Sequence, residues 1–331
     1  MSMATPTYSR TATVSVPATS ANLGPGFDCL GLALDLRNDV TLTATGGDVA
    51  YDDPRPTRYT IAVSGDDADK VPTDSRNLLI EAADALFRQA GRRPAAVAVR
   101  AVNRVPVGSG LGSSSTAIVA GLLAANAVIG AGWTDGELLR LAVEMEGHPD
   151  NVAPAMLGGL VLGVLPDATH GPAELILRRM EPPRLGVVVV LPDFPLLTAD
   201  ARAALPPTLA RADAIFNVSR LGLLLHALTS DEPDCLRVAM GDRLHQPYRL
   251  PLIPGAAAAY DAAYAAGALG VALSGAGPSL LAFVADSGEA IGAAMSAAFA
   301  AAGLSSRTWL LRPSAVGAHV SAGNQGFSKV V

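Results

Sequence analysis

Apolar and polar positions divide the first half of the chain into short strand-like and longer helix-like segments. Residues 12–16, 30–36, 40–44, 58–63 and 96–102 have the composition of strands. Residues 76–89 place Leu79, Ala83, Leu86 and Phe87 on one face, which predicts an amphipathic helix. Residues 117–129 are apolar, as in a buried helix. A further helix is predicted over 134–146, where Thr134 and Glu137 stand in capping-box spacing. Residues 158–165 read as a strand, and the polar turn at 166–172 is taken as a domain boundary. Beyond it come a buried strand (186–191), a helical stretch opened by two prolines (205–228), strands at 270–273 and 280–284, a helix at 287–302 and a last strand at 306–311. The order strand–helix–strand–strand–helix–strand predicts a split α+β layer. The expected organisation is one domain over 1–166, a second over 167–312, and a small, polar, mobile tail over 313–331.

Composition narrows the function. The chain has 331 residues, half of them hydrophobic and 16% charged, enough for a sizeable core in two domains or one large one. Its net charge of -6, with no basic run, excludes a nucleic-acid footprint. The longest apolar runs, such as 155–165, are shorter than the roughly 20 residues that span a bilayer. Residues 1–14 lack the apolar run of a signal peptide. Cys29 and Cys235 have neither disulfide-framework nor metal-ligand spacing, so they are expected to be reduced core thiols. Together these predict a cytoplasmic protein with no membrane partner.

The chemistry concentrates in Pro106-Val107-Gly108-Ser109-Gly110-Leu111-Gly112-Ser113-Ser114-Ser115-Thr116. Its glycines let the backbone come close to a ligand and turn N–H groups inward. The helix start beyond them adds unsatisfied donors and the positive end of a dipole. Four hydroxyls in a row supply more donors and a Mg²⁺ ligand, so the segment suits a nucleoside triphosphate. A Walker loop requires a lysine before its Ser/Thr, and no lysine lies between Lys70 and Lys329. A dinucleotide fingerprint requires glycine at 113, where this chain has serine.

Three further segments carry polar groups. The loop 17–28 offers Asn22 and Asp28, suited to a small polar substrate. Residues 144–151 hold Glu144, Glu146, His148 and Asn151; the two acids, two positions apart on a helix, point to different faces. The loop 274–279, with Gly275 and Gly277, suggests a second backbone wall around the same anion. Arg202, which follows Thr198, and the arginines at 243 and 249 suit bidentate capture of a carboxylate.

In this order, the segments resemble the galactokinase–homoserine kinase–mevalonate kinase–phosphomevalonate kinase (GHMP) superfamily, with His148-Pro149-Asp150-Asn151-Val152-Ala153-Pro154 similar to the homoserine kinase branch. The resemblance extends from about residue 13 to 311. It implies an α+β, two-domain fold: an N-terminal ribosomal-protein-S5-like domain and a C-terminal ferredoxin-like split α/β domain. It implies ATP and Mg²⁺ as cofactors, L-homoserine as substrate, O-phospho-L-homoserine in threonine biosynthesis as product, and a homodimer.

By this resemblance Pro106 to Thr116, Gly275 and Gly277 bind ATP, and Asn77 contacts the adenine. Ser114 and Glu146 hold Mg²⁺, with Glu144 the alternative. Asp28 and Asn22 hold the substrate ammonium, with Asn151 nearby. Arg202 and Arg249 clamp its carboxylate, assisted by Thr198, with Arg243 the alternative to Arg249. The mevalonate and galactose branches have an Asp base near the position of Asn151; an amide cannot take a proton at neutral pH. The resemblance therefore implies in-line transfer without a dedicated carboxylate base, with His148 orienting the hydroxyl and Asn151 and Glu146 beside it. Two rivals are a kinase of another small alcohol and a catalytically silent sensor on the same fold.

Overall fold

The computed structural model describes residues 9–169, 174–230 and 232–322. Residues 1–8, positions 170–172 of the polar turn, and residues 323–331 of the expected tail lie outside these.

The first unit is a sheet covered on one face by helices. Its strands are β1 (Ser9–Asn22), β2 (Gly26–Ala50), β3 (Arg58–Gly65), β4 (Arg92–Asn103), β5 (Leu160–Val164) and β6 (Ile176–Met180). In β1, Ala12, Val14 and Val16 are buried beneath the helices. Thr11 and Thr13, on the other face, pair by hydroxyl with Thr43 and Thr41 of β2, each at 3.0 Å. Strand β2 is the spine, antiparallel to β1, β4 and β5, while β3 runs parallel to β4. The covering helices are α1 (Leu78–Gln89), α2 (Ser113–Ile129), α3 (Asp135–Glu146) and α4 (Pro149–Leu157). Helix α2 is apolar on nearly all sides because it is enclosed by the others. The expected capping box of Thr134 and Glu137 opens α3, and Gly147, at φ 89°, ends it.

The second unit contains β7 (Gly186–Pro192), α5 (Thr198–Ala203), α6 (Arg211–Thr229), α7 (Leu236–Ala239), α8 (Gln246–Arg249), α9 (Ala256–Ala265), β8 (Gly270–Leu273), β9 (Leu280–Val284), α10 (Glu289–Ala301) and β10 (Ser306–Leu311). Its sheet is antiparallel throughout in the order β10–β7–β9–β8, the split arrangement expected. Alternation along β7 separates two cores. Val188 and Val190 face α9 and α10. Val187 and Val189 face α6 and the Leu23, Leu30, Leu32 and Leu34 side chains of the first unit.

Three expectations differ from the structure. Strand β6 pairs with β5, so the change of sheet falls between Met180 and Gly186, later than the turn at 166–172. The helix beside α10 on the outer face of the second sheet is α9, which the expected element order did not include, while the expected 205–228 helix starts only at Arg211 and packs on the inner face. Residues 313–322 are bound to the first sheet. Ser314 N–H donates to Ala33 O at 2.9 Å, Arg37 donates to the carbonyls of Val316 and Gly317 at 3.1 and 2.8 Å, and a strand β11 (His319–Ala322) pairs with β1. No helix among the described residues is long and apolar enough to cross a membrane. Cys29 and Cys235 are free and half-buried.

Candidate active site

A cleft of about 390 Å³ runs between the two units. One end is apolar, walled by Ile61 and Val63 of β3, Val99 of β4, and Val71 and Pro72 before α1. Asn77 stands at this end. Its Oδ1 caps α1 by accepting from Leu79 N–H at 3.0 Å, and its Nδ2 donates to Pro72 O at 2.6 Å, so it fixes the wall's entry into the helix.

The glycine loop forms the middle of the cleft. Gly108, Gly110 and Gly112 have φ of 67°, 79° and 70°, the left-handed region that glycine enters without strain. Close packing adds a second requirement at two of them. A Cβ on Gly110 would overlap Ser274 O, and one on Gly112 would overlap the Thr19 hydroxyl, whereas one on Gly108 would meet open space. Gly112 caps α2 without a side-chain bond, so the first N–H groups of that helix are left for a ligand. Within the loop, Val107, Gly108, Ser109 and Gly110 line the cleft, together with Gly112, Ser113, Ser114 and Thr116. Pro106 and Leu111 stand behind it: Pro106 O accepts from Ser109 Oγ at 2.7 Å, and Leu111 is fully buried with its carbonyl bonded to Thr19 N–H.

Ser114 Oγ and Ser115 Oγ both donate to Glu146 Oε1, at 2.9 and 3.1 Å. Glu144 is exposed and does not line the cleft. The convergence of hydroxyl and carboxylate oxygens on one point is the hard-donor set that Mg²⁺ takes.

The polar end is built by the loop that joins β1 to β2. Asn22 (φ 71°) and Asp28 (φ 56°) are both left-handed, and Asn22 Oδ1 accepts from Asp28 N–H at 2.9 Å, which closes the loop. Asn22 Nδ2 donates to Gly275 O at 2.9 Å, leaving one lone pair of its carbonyl oxygen uncommitted. Arg202 of α5 grips Asp28, which raises its already high pKa. Arg249 is buried. It donates to Ala201 O at 3.2 Å and weakly to Gly275 O, and no carboxylate among the described residues pairs with it. Burial and the nearby charge of Arg202 lower its pKa. Arg243 pairs with Asp213 and lies away from the cleft. Thr198 starts α5 at the cleft mouth. Gly275 reaches the cleft, while Gly277 packs against Ile253 and Leu273 behind it.

Beneath the junction of the two ends lie His148, Asp150 and Asn151. His148 Nδ1 is bonded to the buried Asp150 carboxylate. Burial alone would lower the histidine pKa, but the Asp150 bond and the charges of Asp150, Asp28 and Glu146 outweigh it and hold the pKa above the ordinary value. Asn151 Oδ1 accepts from Thr19 Oγ1 at 2.8 Å, which fixes the amide orientation.

Sequence reasoning did not single out Thr19 or Asp150, although both stand inside segments it flagged, nor the apolar wall. Thr19 and Asn151 are brought together from distant parts of the chain only by the fold.

The profile described as GHMP kinases N terminal domain matches residues 77–159, and that described as GHMP kinases C terminal matches residues 224–301. The chain is 43% identical over 308 residues to a homoserine kinase of Moorella thermoacetica, covering 93% of this chain and 99% of that one. It is 48% identical over 283 residues to one of Gloeobacter violaceus, covering 85% and 91%. The crystal structure of homoserine kinase from Cytophaga hutchinsonii superposes with a TM-score of 0.81 at 29% identity, covering 94% and 98%. With its two-domain architecture and its glycine loop, this chain belongs to the homoserine kinase family of the GHMP kinases.

Proposed function

We propose that the chain phosphorylates the side-chain hydroxyl of L-homoserine with Mg-ATP, giving O-phospho-L-homoserine for threonine biosynthesis, by direct in-line transfer. Family membership makes it an ATP-dependent small-molecule kinase. The observation that carries the substrate reading is the charge layout at the polar end. Asp28 supplies one carboxylate for an ammonium, and Arg202 and Arg249 supply two guanidinium groups for a carboxylate, the buried Arg249 having no bonded carboxylate among the described residues. This layout complements a zwitterionic amino acid.

The apolar wall beside Asn77 receives the base of ATP, and the glycine loop with the α2 N-terminus receives its phosphates. Ser114 and Glu146 would hold Mg²⁺, and the ion would supply positive charge to screen the triphosphate. Asp28 and the uncommitted lone pair of Asn22 take the substrate ammonium, and Arg202 and Arg249, helped by Thr198, take its carboxylate. These contacts aim the side-chain hydroxyl at the γ-phosphate. Asn151, its carbonyl oxygen held by Thr19 and one amide N–H directed weakly at Asp150 Oδ1, presents its other amide N–H rather than a base. His148, fixed by Asp150, orients the hydroxyl. The loose transition state of phosphoryl transfer depends mainly on such positioning and charge stabilisation, so the proton leaves late to a phosphate oxygen or solvent.

The free cysteines accord with a cytoplasmic setting, and a homodimer is the state we expect by sizing chromatography with light scattering. The functional test is ADP release with L-homoserine, D-homoserine, L-threonine, mevalonate and galactose side by side. Saturable turnover confined to L-homoserine supports the reading. Turnover with mevalonate or galactose instead overturns the substrate, and ATP binding without any turnover overturns the activity.

A further inference from the structure

We infer that Phe27 is a positioning residue for substrate recognition: its ring is the platform that holds Arg202 and Arg249 together as one carboxylate clamp. This rests on the reading of those arginines as the clamp.

The two guanidinium groups repel each other, and among the described residues the only carboxylate bonded to either is Asp28, on Arg202. Asp28, Asp242 and Asp150 act on Arg249 through space, and the face of an aromatic ring adds further negative potential to the pair. The Arg249 guanidinium lies 5.0 Å from the centroid of Phe27 and that of Arg202 lies 5.8 Å from it, both within cation–π reach. His245 stacks on the same ring, with centroids 5.1 Å apart and planes inclined by 27°. Its Nε2–H donates to Gly24 O at 2.8 Å, so the imidazole, and with it the ring, is tied to the loop that carries Asp28. Burial lowers the His245 pKa, which favours the neutral form beside two arginines.

The backbone explains how one arginine meets two neighbouring residues. In a regular strand, Phe27 and Asp28 would point to opposite faces. Asp28 instead adopts φ 56°, which breaks the alternation, and Arg202 contacts both the Phe27 ring and the Asp28 carboxylate. An aliphatic side chain at position 27 fills similar space but offers no negative face, so the arginines are expected to separate or turn toward Asp28.

Steady-state kinetics of the full chain with Phe27→Leu, Phe27→Tyr and Phe27→Trp test this. Phe27→Leu is expected to raise the KM for L-homoserine at least about tenfold, with kcat and the KM for ATP within about threefold of wild type. Phe27→Tyr or Phe27→Trp is expected to restore the homoserine KM to within about threefold, because each retains an aromatic face. An unchanged homoserine KM in Phe27→Leu overturns the inference. So does a parallel change in kcat and in the KM for ATP, or the absence of rescue by both aromatic variants, since each marks a packing role only. Failure of the wild-type protein to phosphorylate L-homoserine overturns the functional reading itself, and it is seen before any variant is compared.

Discussion

Arg202 and Asp28, 174 positions apart in sequence, meet across the mouth of the cleft through two parallel hydrogen bonds of 2.9 Å each. The Arg202 and Asp28 side chains remain 40% and 33% exposed, so water screens the pair and it adds little to stability. Its value lies in substrate capture. Asp28→Asn and Arg202→Lys are expected to lower kcat/KM for L-homoserine by about a hundredfold or more while changing unfolding free energy by less than about 1 kcal/mol. Kinetics and a urea melt on each variant check both halves of this expectation.

Glu146 and not Glu144 receives the Ser114 and Ser115 hydroxyls. Glu146→Gln and Ser114→Ala are expected to lose at least about a hundredfold in kcat and to require more Mg²⁺ for half-maximal rate, whereas Glu144→Gln stays within about twofold. A Mg²⁺ titration of activity at fixed ATP distinguishes them, and equal effects at 144 and 146 would reject the assignment.

The three loop glycines are not equivalent. Gly112→Ala combines a left-handed backbone with overlap onto the Thr19 hydroxyl, so it should disturb the Thr19–Asn151 bond, lower stability by several kcal/mol and abolish turnover. Gly108→Ala meets open space and is expected to cost only about 1–2 kcal/mol, with its methyl group raising the KM for ATP. Thermal melts paired with ATP kinetics read both effects.

The environment of His148 raises its pKa in the folded state, so protonation of this side chain stabilises the fold. That contribution is complete below the unfolded value near 6.5 and disappears as pH rises through the folded value. The stability advantage of wild type over His148→Gln is therefore expected to shrink as pH rises above the unfolded value and through the raised folded value. Denaturant melts at several pH values test it; an advantage that grows with pH would show that the imidazole is held neutral.

Much of the site was legible because its chemistry is local in sequence. The glycine loop and the α3 capping box announce themselves by residue type and spacing, whereas the roles expected of Asp28, Arg202 and Arg249 follow from the family resemblance, and only the fold brings these distant residues together. Helix α4 was not read because Pro149 and Pro154 both fall within its nine residues, and the fold tolerates them: one sits in the first turn and the other is buried among tertiary contacts. The apolar wall formed by Ile61, Val63 and Val99 resembles ordinary core in composition, and only topology shows that it faces a cleft. Residues 313–322 looked like a loose tail because their small side chains hide what holds them, which is backbone carbonyls gathered by Arg37 and strand pairing at the edge of β1.

The leucines at 23, 30, 32 and 34 and the inner face of β7 and β9 share one apolar layer between the two units. Swinging the units apart would bring that layer into water, at about 1.5–3 kcal/mol for each large side chain exposed. Wide jaw-like opening is therefore too costly to accompany every turnover. The apolar layer thus acts as a hinge-stop that keeps the two walls of the cleft together, and the six-residue, mostly exposed helix that bears Thr198 and Arg202 is a part of the rim that little burial holds.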